Sequence, residues 1–262
     1  MKKPVLFLAI IQILVFSSCS RMDLAGVTAT KCQEAPEWYS SVTVDGAITV
    51  EVSMEEDVIE IVSDANVLPY VNVHEQRGAL IVEYDDGARF SGRYETIVRI
   101  PASREIQSVR LMNSAVFRMD APVRTGYPLR FVAGSWSQFD FASISAGDME
   151  ISLSDASVFL ADMVSVNNAD ISCCGRSEVM MDGVIQSCNA ILEDGSSLSP
   201  LTDTYVDRFE LEIDYFYGNL SDSSSASFHS DGSISGTLRD RSSIDYTGVA
   251  QNTATELEGS EY

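Results

Sequence analysis

The stretch SDASVFLADM, from Ser154 to Met163, places small residues in front of a short apolar run. The same arrangement returns at a step of twenty residues, and the last serine of each copy is Ser137, Ser157, Ser177 or Ser197. A fixed step of this length is too short for repeats of paired helices and is typical of β-solenoids or leucine-rich repeats. The asparagine ladder of leucine-rich repeats is absent, so the pattern favours a solenoid.

Apolar residues keep the same step as the serines. Three columns follow it: Phe131, Ile151, Ile171 and Ile191; Ile144, Val164 and Val184; and Phe139, Phe159 and Val179. In a solenoid, each residue lies over its counterpart in the next coil at a strand spacing of about 4.8 Å, so like residues stack. Small polar residues favour the sharp bends between strands. We therefore interpret SDAS as a corner and VFLADM as the following strand.

The repeat extends beyond this core with a looser step. Asn113-Ser114 begins a similar corner about twenty-two residues before the next one, which places Val109 beneath Phe131. Two later corners, Ser224–Phe228 and Asp240–Ile244, follow at irregular steps. We predict solenoid coils over 103–248, a β-rich N-terminal part over 38–102 and a polar tail over 249–262.

The β-rich part alternates apolar and polar residues without the twenty-residue step. Ser41–Val52 reads SVTVDGAITVEV, which is two alternating runs around the turn signal Asp45-Gly46. No segment of the chain carries a sustained helical stripe. The sequence therefore predicts an all-β protein.

Residues 1–18 have the form of a secretory signal peptide. Lys2 and Lys3 precede a mostly apolar run that is too short for a good membrane span, and small residues precede Cys19. Cys19 resembles the acylated cysteine of a bacterial lipoprotein, although Phe16 replaces the usual aliphatic residue. We predict that Cys19 is lipidated and anchors the chain to a membrane, with 19–37 as a tether. The expected location is the cell envelope, at the outer membrane, facing either the periplasm or the cell surface.

Charge and cysteines exclude several classes of function. The formal net charge of −22 argues against nucleic acid and anionic lipid head groups as partners, since an acidic surface repels both. The cysteines after Cys19 do not stack at the predicted step, and their pairing is left open; they are Cys32, Cys173, Cys174 and Cys188. Cys and His residues lack the spacing of a zinc site. We predict no metal and no cofactor.

The residues also resemble a known family. The signal peptide with its cysteine, the segments VDGAITVEV and DANVLPYVNVHEQRGALIVEY, and the chain of small-residue corners are similar, over about 38–248, to the putative auto-transporter adhesin, head GIN domain family. This sequence differs at Trp136, Cys174 and Arg176, where the family prefers Gly, Ala or Ser. The resemblance implies a right-handed β-helix, similar to the pectate-lyase superhelix, and adhesion at the cell surface. It carries no catalytic residues.

Three functions remain to be compared. An enzyme acting on polysaccharides would need clustered carboxylates, and Asp162 and Asp182 stack at one coil step with Asp140 near the same face. We favour a solvated ladder at the sheet edge as the interpretation of these residues. A structural envelope lipoprotein with a protein partner is the third alternative.

We predict a non-catalytic binding or adhesion module whose rigid acidic surface contacts a glycan or a protein. A solenoid presents side chains at regular intervals, which suits an extended ligand. Aromatic residues outside the apolar columns are the candidate contacts: Trp136, Tyr215, Phe216 and Tyr217. Each of them has a competing structural role at a corner or in a core gap.

Overall fold

The protein is all-β. The computed structural model describes residues 21–54, 57–102, 106–201 and 210–257. The first strands are β1 (Met22–Asp23), β2 (Thr28–Glu34), β3 (Ser41–Asp45), β4 (Thr49–Ser53), β5 (Val58–Asp64), β6 (Val71–Gln76), β7 (Ala79–Tyr84), β8 (Phe90–Ser91) and β9 (Ile97–Pro101). One 3₁₀ turn, Leu68–Tyr70, precedes β6.

The remaining strands are connected by sharp corners. They are β10 (Ser108–Met112), β11 (Val116–Met119), β12 (Val123–Arg124), β13 (Leu129–Ala133), β14 (Gln138–Phe141), β15 (Ile144–Leu153), β16 (Val158–Cys173), β17 (Glu178–Leu192), β18 (Ser197–Ser199), β19 (Leu211–Leu220), β20 (Ser225–His229), β21 (Ser233–Arg239), β22 (Ser243–Thr247), β23 (Gln251–Asn252) and β24 (Thr255–Leu257). All except β1 and β8 belong to one hydrogen-bonded sheet system.

From β10 onward the strand pairing is parallel, and from β13 to β16 it follows the predicted step of twenty residues. Phe131 pairs with Ile151 and Ile151 with Ile171, in what we call the first ladder. Phe139 pairs with Phe159 and Phe159 with Val179, in the second ladder. Ile144 pairs with Val164 in the third. The predicted pair of Val109 and Phe131 is also confirmed.

The register shifts between β16 and β17, and the last residue predicted for two of the columns is therefore wrong. Ala161 pairs with Met181 but Val164 pairs with Gly183, so two residues of β16 lie opposite the single residue Asp182. This is the count of a β-bulge. The step falls from twenty to nineteen beyond it. Val184 and Ile191 consequently face outward and are exposed, and their places in the columns are taken by Gly183 and Ala190.

The predicted corners are confirmed by backbone geometry. At each corner two successive residues have positive φ: Asn113-Ser114, Ser135-Trp136, Asp155-Ala156, Gly175-Arg176, Asp194-Gly195, Asp222-Ser223 and Asp240-Arg241. Two left-handed residues in a row turn the chain sharply, and Gly, Asn and Asp adopt them at least cost.

A buried serine follows the corner and fixes it. The Oγ of Ser157 donates to the carbonyl of Ser154 at 2.7 Å, and Ser137 and Ser177 make the same bond to the residue three positions earlier. The prediction that Ser197 continues this column is wrong, because the shortened step gives the position to Ser196. Ser196 is buried and donates to the carbonyl of Glu193 at 2.7 Å.

The N-terminal part is joined directly to the parallel ladders. Val42 of β3 pairs with Val109, and Val50 of β4 pairs with Phe117, so the N-terminal part stacks directly on the parallel ladders. Antiparallel pairs appear only at this end among the described residues: β2 with β5, β5 with β9, and β6 with β7. These antiparallel strands cover the N-terminal end of the parallel ladders.

Two segments expected to lie outside the fold contain strands. Within the predicted tether, β2 pairs along its length with β5, and β1 pairs with β8. Within the predicted polar tail, β23 and β24 both pair with β21. The side chains of these strands are largely exposed, so their sequences are polar and do not show the alternation that predicts a strand. Backbone hydrogen bonds, without buried side chains, join these strands to the sheet.

The core is a stack of aromatic and aliphatic side chains between the ladders. Five phenylalanines lie with ring centroids 4.9–6.0 Å apart: Phe117, Phe131, Phe139, Phe141 and Phe159. Tilted and edge-to-face contacts of this kind add to the stabilisation from burial alone. Among the described side chains, no buried polar atom lacks a hydrogen-bond partner.

Candidate functional site

Two exposed tyrosines lie side by side on the surface of β19. Tyr215 is 56% exposed and Tyr217 is 48% exposed, and because they are two residues apart on one strand they point to the same side. Large aromatic side chains on an open β face are costly to hydrate, and they are common where a protein binds a partner.

The expectation that Phe216 contacts a ligand does not agree with its position. Phe216 is buried and packs against Phe228, with ring centroids 4.6 Å apart. Residues Asp214 and Tyr215 are both at the surface, which shifts the in–out alternation by one residue and sends Phe216 inward. Its role is in the core, as the competing structural interpretation held.

Small polar residues surround the tyrosine pair. Tyr215 lies between Ser187 and Ser233 in the parallel register, and Tyr217 lies between Asn189 and Ser235. Together with Cys188 and Phe216 they line a shallow groove of about 400 Å³. The short neighbours leave the edges and faces of both rings accessible. We call this surface, formed by Ser187, Asn189, Tyr215, Tyr217, Ser233 and Ser235, the tyrosine face.

Two rows of amide and carboxylate groups lead up to the tyrosine face. Asn168 Nδ2 donates to Asp148 Oδ1 at 2.8 Å, and Asn189 Nδ2 donates to Asp170 Oδ1 at 3.2 Å. In register, the first row continues to Tyr215 and the second to Tyr217. The face thus combines hydroxyl, amide and carboxylate groups with two rings. Sequence reasoning missed these rows, although Asp and Asn recur at steps of twenty and nineteen.

Trp136 is exposed but lies apart from the tyrosines. It is 72% exposed and has φ +61°, a conformation that costs a non-glycine residue energy. Its strand segment is separated from that of Tyr215 by four steps of the first ladder, from β13 through β15, β16 and β17 to β19. Four strand spacings amount to roughly 19 Å. The structure therefore does not bring Trp136 together with the tyrosine face.

The carboxylates considered for an enzyme are engaged in other contacts. Asp140 Oδ2 accepts from Arg118 Nε at 3.1 Å, and Arg118 also lies near Glu51. Asp182 Oδ1 accepts from the backbone N–H of Leu201 at 2.9 Å. Asp162 lies in the bulge, so it does not stack one-to-one on Asp182 as the sequence predicts. The hydrogen bond with Asp140 raises the pKa of Arg118 and keeps it cationic.

The cysteines offer no reactive pair among the described residues. Cys32, Cys173, Cys174 and Cys188 are all free thiols. Burial raises the pKa of Cys173 to about 12 and also raises that of Cys188, so both remain protonated and unreactive at neutral pH. No cluster of metal-ligating side chains occurs within the described ranges. Cys19, the predicted lipidation site, lies outside them.

The fold and the exposed face together define an all-β protein with parallel ladders and an aromatic, hydroxyl-rich surface. The chain belongs to the family described as putative auto-transporter adhesin, head GIN domain, whose sequence profile matches residues 38–250. The resemblance found in the sequence is thereby confirmed. No curated protein matches the sequence.

Solved structures share the fold at low sequence identity. A putative adhesin from Parabacteroides distasonis has a TM-score of 0.78 and 15% identity, covering 92% of this chain and 98% of its own. A putative adhesin from Parabacteroides merdae has a TM-score of 0.68 and 17% identity, covering 90% and 99%. A third, described as a putative lipid binding protein from P. distasonis, has a TM-score of 0.74 and 13% identity, covering 91% and 97%.

Across the part of the chain that the structure describes, none of the helical segments is long and apolar enough to cross a bilayer.

Proposed function

We propose that the protein is a non-catalytic adhesion module of the bacterial cell envelope, and that it binds a glycan through the tyrosine face. The observation that carries the proposal is the exposed pair Tyr215 and Tyr217, set among serine and asparagine side chains. Sugar rings present apolar C–H faces and a rim of hydroxyls, which complement an aromatic ring beside amide and hydroxyl groups.

The parallel ladders support a right-handed β-solenoid, similar to the pectate-lyase superhelix, as the scaffold. Parallel strands that recur every nineteen to twenty residues need a closed circuit of strands and corners. Right-handed crossovers are strongly preferred between parallel strands. Such a scaffold holds the tyrosine face rigid, which lowers the entropy lost on binding an extended chain.

The N-terminus supports attachment to a membrane. In this proposal residues 1–18 are removed as a signal peptide, and a lipid on Cys19 fixes the chain to the outer membrane. Since β1 and β2 belong to the fold, the segment between the anchor and the sheet is short. The N-terminal end of the fold would then be held close to the membrane.

Replacing the anchor cysteine tests this attachment. Cys19→Ala is expected to move the protein from the membrane fraction to the soluble fraction of cells that export it, because a lipid chain is then no longer added. Cys32→Ala, at an exposed thiol on β2, is the matched control and should stay in the membrane fraction. Membrane retention of the Cys19→Ala protein would contradict the proposal.

Binding to a glycan array tests the function. The double variant Tyr215→Ala and Tyr217→Ala should lose at least about tenfold in affinity for any glycan that the unchanged protein binds, since aromatic anchors dominate binding energies. Tyr127→Ala is the matched control because Tyr127 is equally exposed, at 56%, but lies outside the tyrosine face. Equal affinities for all three proteins would place the binding surface elsewhere.

A further inference from the structure

A cavity lies in the core beside β10, β11 and β13, away from the tyrosine face. Its volume is about 390 Å³. Val109, Phe117, Leu129, Phe131 and Phe141 form its inner wall, and all of these side chains are buried. Protein interiors are normally packed as closely as organic crystals, with few voids larger than a water molecule. A space of this size inside the phenylalanine stack is therefore unusual.

The cavity lies where the ladders are least regular. The step from Val109 to Phe131 is twenty-two residues, longer than in the ladders above it. β12 contributes only two residues to the third ladder, and Pro122 directly before it cannot donate a backbone hydrogen bond. The longer, irregular circuit coincides with the cavity, which the residues from Pro122 to Thr125 line on one side.

The rim of the cavity has one large apolar side chain and one cation. Met54 is 70% exposed at the rim, although its side chain is fully apolar. Arg124 lies at the same opening, next to Thr125. Within the described ranges, none of the ion pairs involves Arg124. An accessible guanidinium beside an apolar opening is suited to an anionic head group.

We propose that this cavity binds an alkyl carboxylate, with the chain inserted among the phenylalanines and the carboxylate at Arg124. The volume lies within the range of small-molecule pockets, about 300–1,000 Å³, and the lining has their usual composition, mainly apolar with few polar groups. An alkyl chain supplies the missing contacts to Phe117, Phe131 and Phe141. This inference is independent of the tyrosine face.

Calorimetric titration of the purified chain with decanoate tests the proposal. Saturable binding of one decanoate is expected. Ala102→Leu, which fills the cavity at a partly buried lining position, should weaken it about tenfold or more. Arg124→Gln should weaken it about threefold, the size of an exposed ion pair. Arg110→Gln, at an exposed arginine outside the cavity, should leave it unchanged.

Two further probes separate the chain from the head group. Decyltrimethylammonium has the same chain length with a cationic head and should bind more weakly than decanoate, because Arg124 repels it and no described carboxylate lines the cavity. Thermal melting confirms that each variant is folded, and Arg124→Gln changes only an exposed side chain. The proposal is overturned if decanoate does not bind, if Ala102→Leu binds as well as the unchanged protein, or if the cationic probe binds more tightly.

Discussion

At the scale of single residues, the corner serines and the column residues determine how one segment stacks on the next. Ser137, Ser157 and Ser177 are buried, and each satisfies a carbonyl at the bend that it follows. A buried carbonyl without a donor costs free energy, so each of these serines stabilises its corner. The apolar columns then stack between corners.

Substitution of two isoleucines, one buried and one exposed, tests the strand register directly. Ile171→Asp should lower the free energy of unfolding by about 3–5 kcal/mol, because it places an unpaired charge in the core. Ile191→Asp should lower it by less than about 1 kcal/mol, since Ile191 is 41% exposed. Urea unfolding measures both. A strictly constant step of twenty would instead give two equally large losses.

The serine and phenylalanine columns could be predicted from sequence because identical residue types recur at a fixed step. The shift beyond Ala161 is not predicted, although Gly183 within the strand is the type of residue that marks a bulge. The sequence is less informative at Phe216: alternation through FELEIDYFY does not reveal that Asp214 and Tyr215 both lie at the surface. Of the candidate contacts, Trp136, Tyr215 and Tyr217 are at the surface as expected.

At the scale of elements, the bulge between β16 and β17 depends on a glycine. Gly183 has φ +120°, and a Cβ atom there would lie 2.1 Å from the carbonyl oxygen of Val164. Main-chain atoms of a paired strand cannot move aside without breaking the ladder. Only glycine therefore accommodates the change of step at this position.

Substitution of this glycine should destabilise the protein more than substitution of a neighbouring one. Gly183→Ala is expected to lower the free energy of unfolding by about 2 kcal/mol or more, from the clash and the strained φ. Gly147→Ala, on β15 with no atom within 4 Å of the added Cβ, should be neutral or slightly stabilising. Urea unfolding compares them, and a loss as large at Gly147 would count against the bulge.

The carboxylate of Asp64, at the end of β5, holds the segment between β1 and β2 in place. The backbone N–H groups of Ala25 and Gly26 donate to its two oxygens at 2.9 and 2.7 Å, and Asn66 N–H donates at 2.9 Å. These bonds, that from Ala25 first, lower the pKa of Asp64. A lowered pKa means that the stabilisation is present at neutral pH and is lost as the pH falls through the folded-state value.

Amide hydrogen exchange tests this pH dependence. Ala25 and Gly26 should be protected at neutral pH and lose protection at acid pH, as Asp64 becomes protonated. Asp64→Asn should show low protection already at neutral pH. Asp86→Asn, at an exposed loop, is the control. Equal protection in the Asp64→Asn variant and in the unchanged protein would show that the carboxylate does not hold this segment.

At the scale of the whole molecule, the ladders hold two surfaces of different chemistry. The tyrosine face lies on β17, β19 and β21, and the apolar cavity lies on the earlier strands β10 to β14. The net charge of −22 keeps the molecule soluble and disfavours anionic polymers as ligands. Neutral glycans are therefore the better candidates for the tyrosine face.

The measurement that tests the central claim most directly is a binding and turnover assay on neutral polysaccharides, run with one protein sample. The account predicts saturable binding that the double variant of Tyr215 and Tyr217 lacks, with no shortening of the polysaccharide by size-exclusion chromatography. Release of oligosaccharides that stops in Asp162→Asn or Asp182→Asn would contradict it, because a carboxylate pair would then carry chemistry that the binding module does not need.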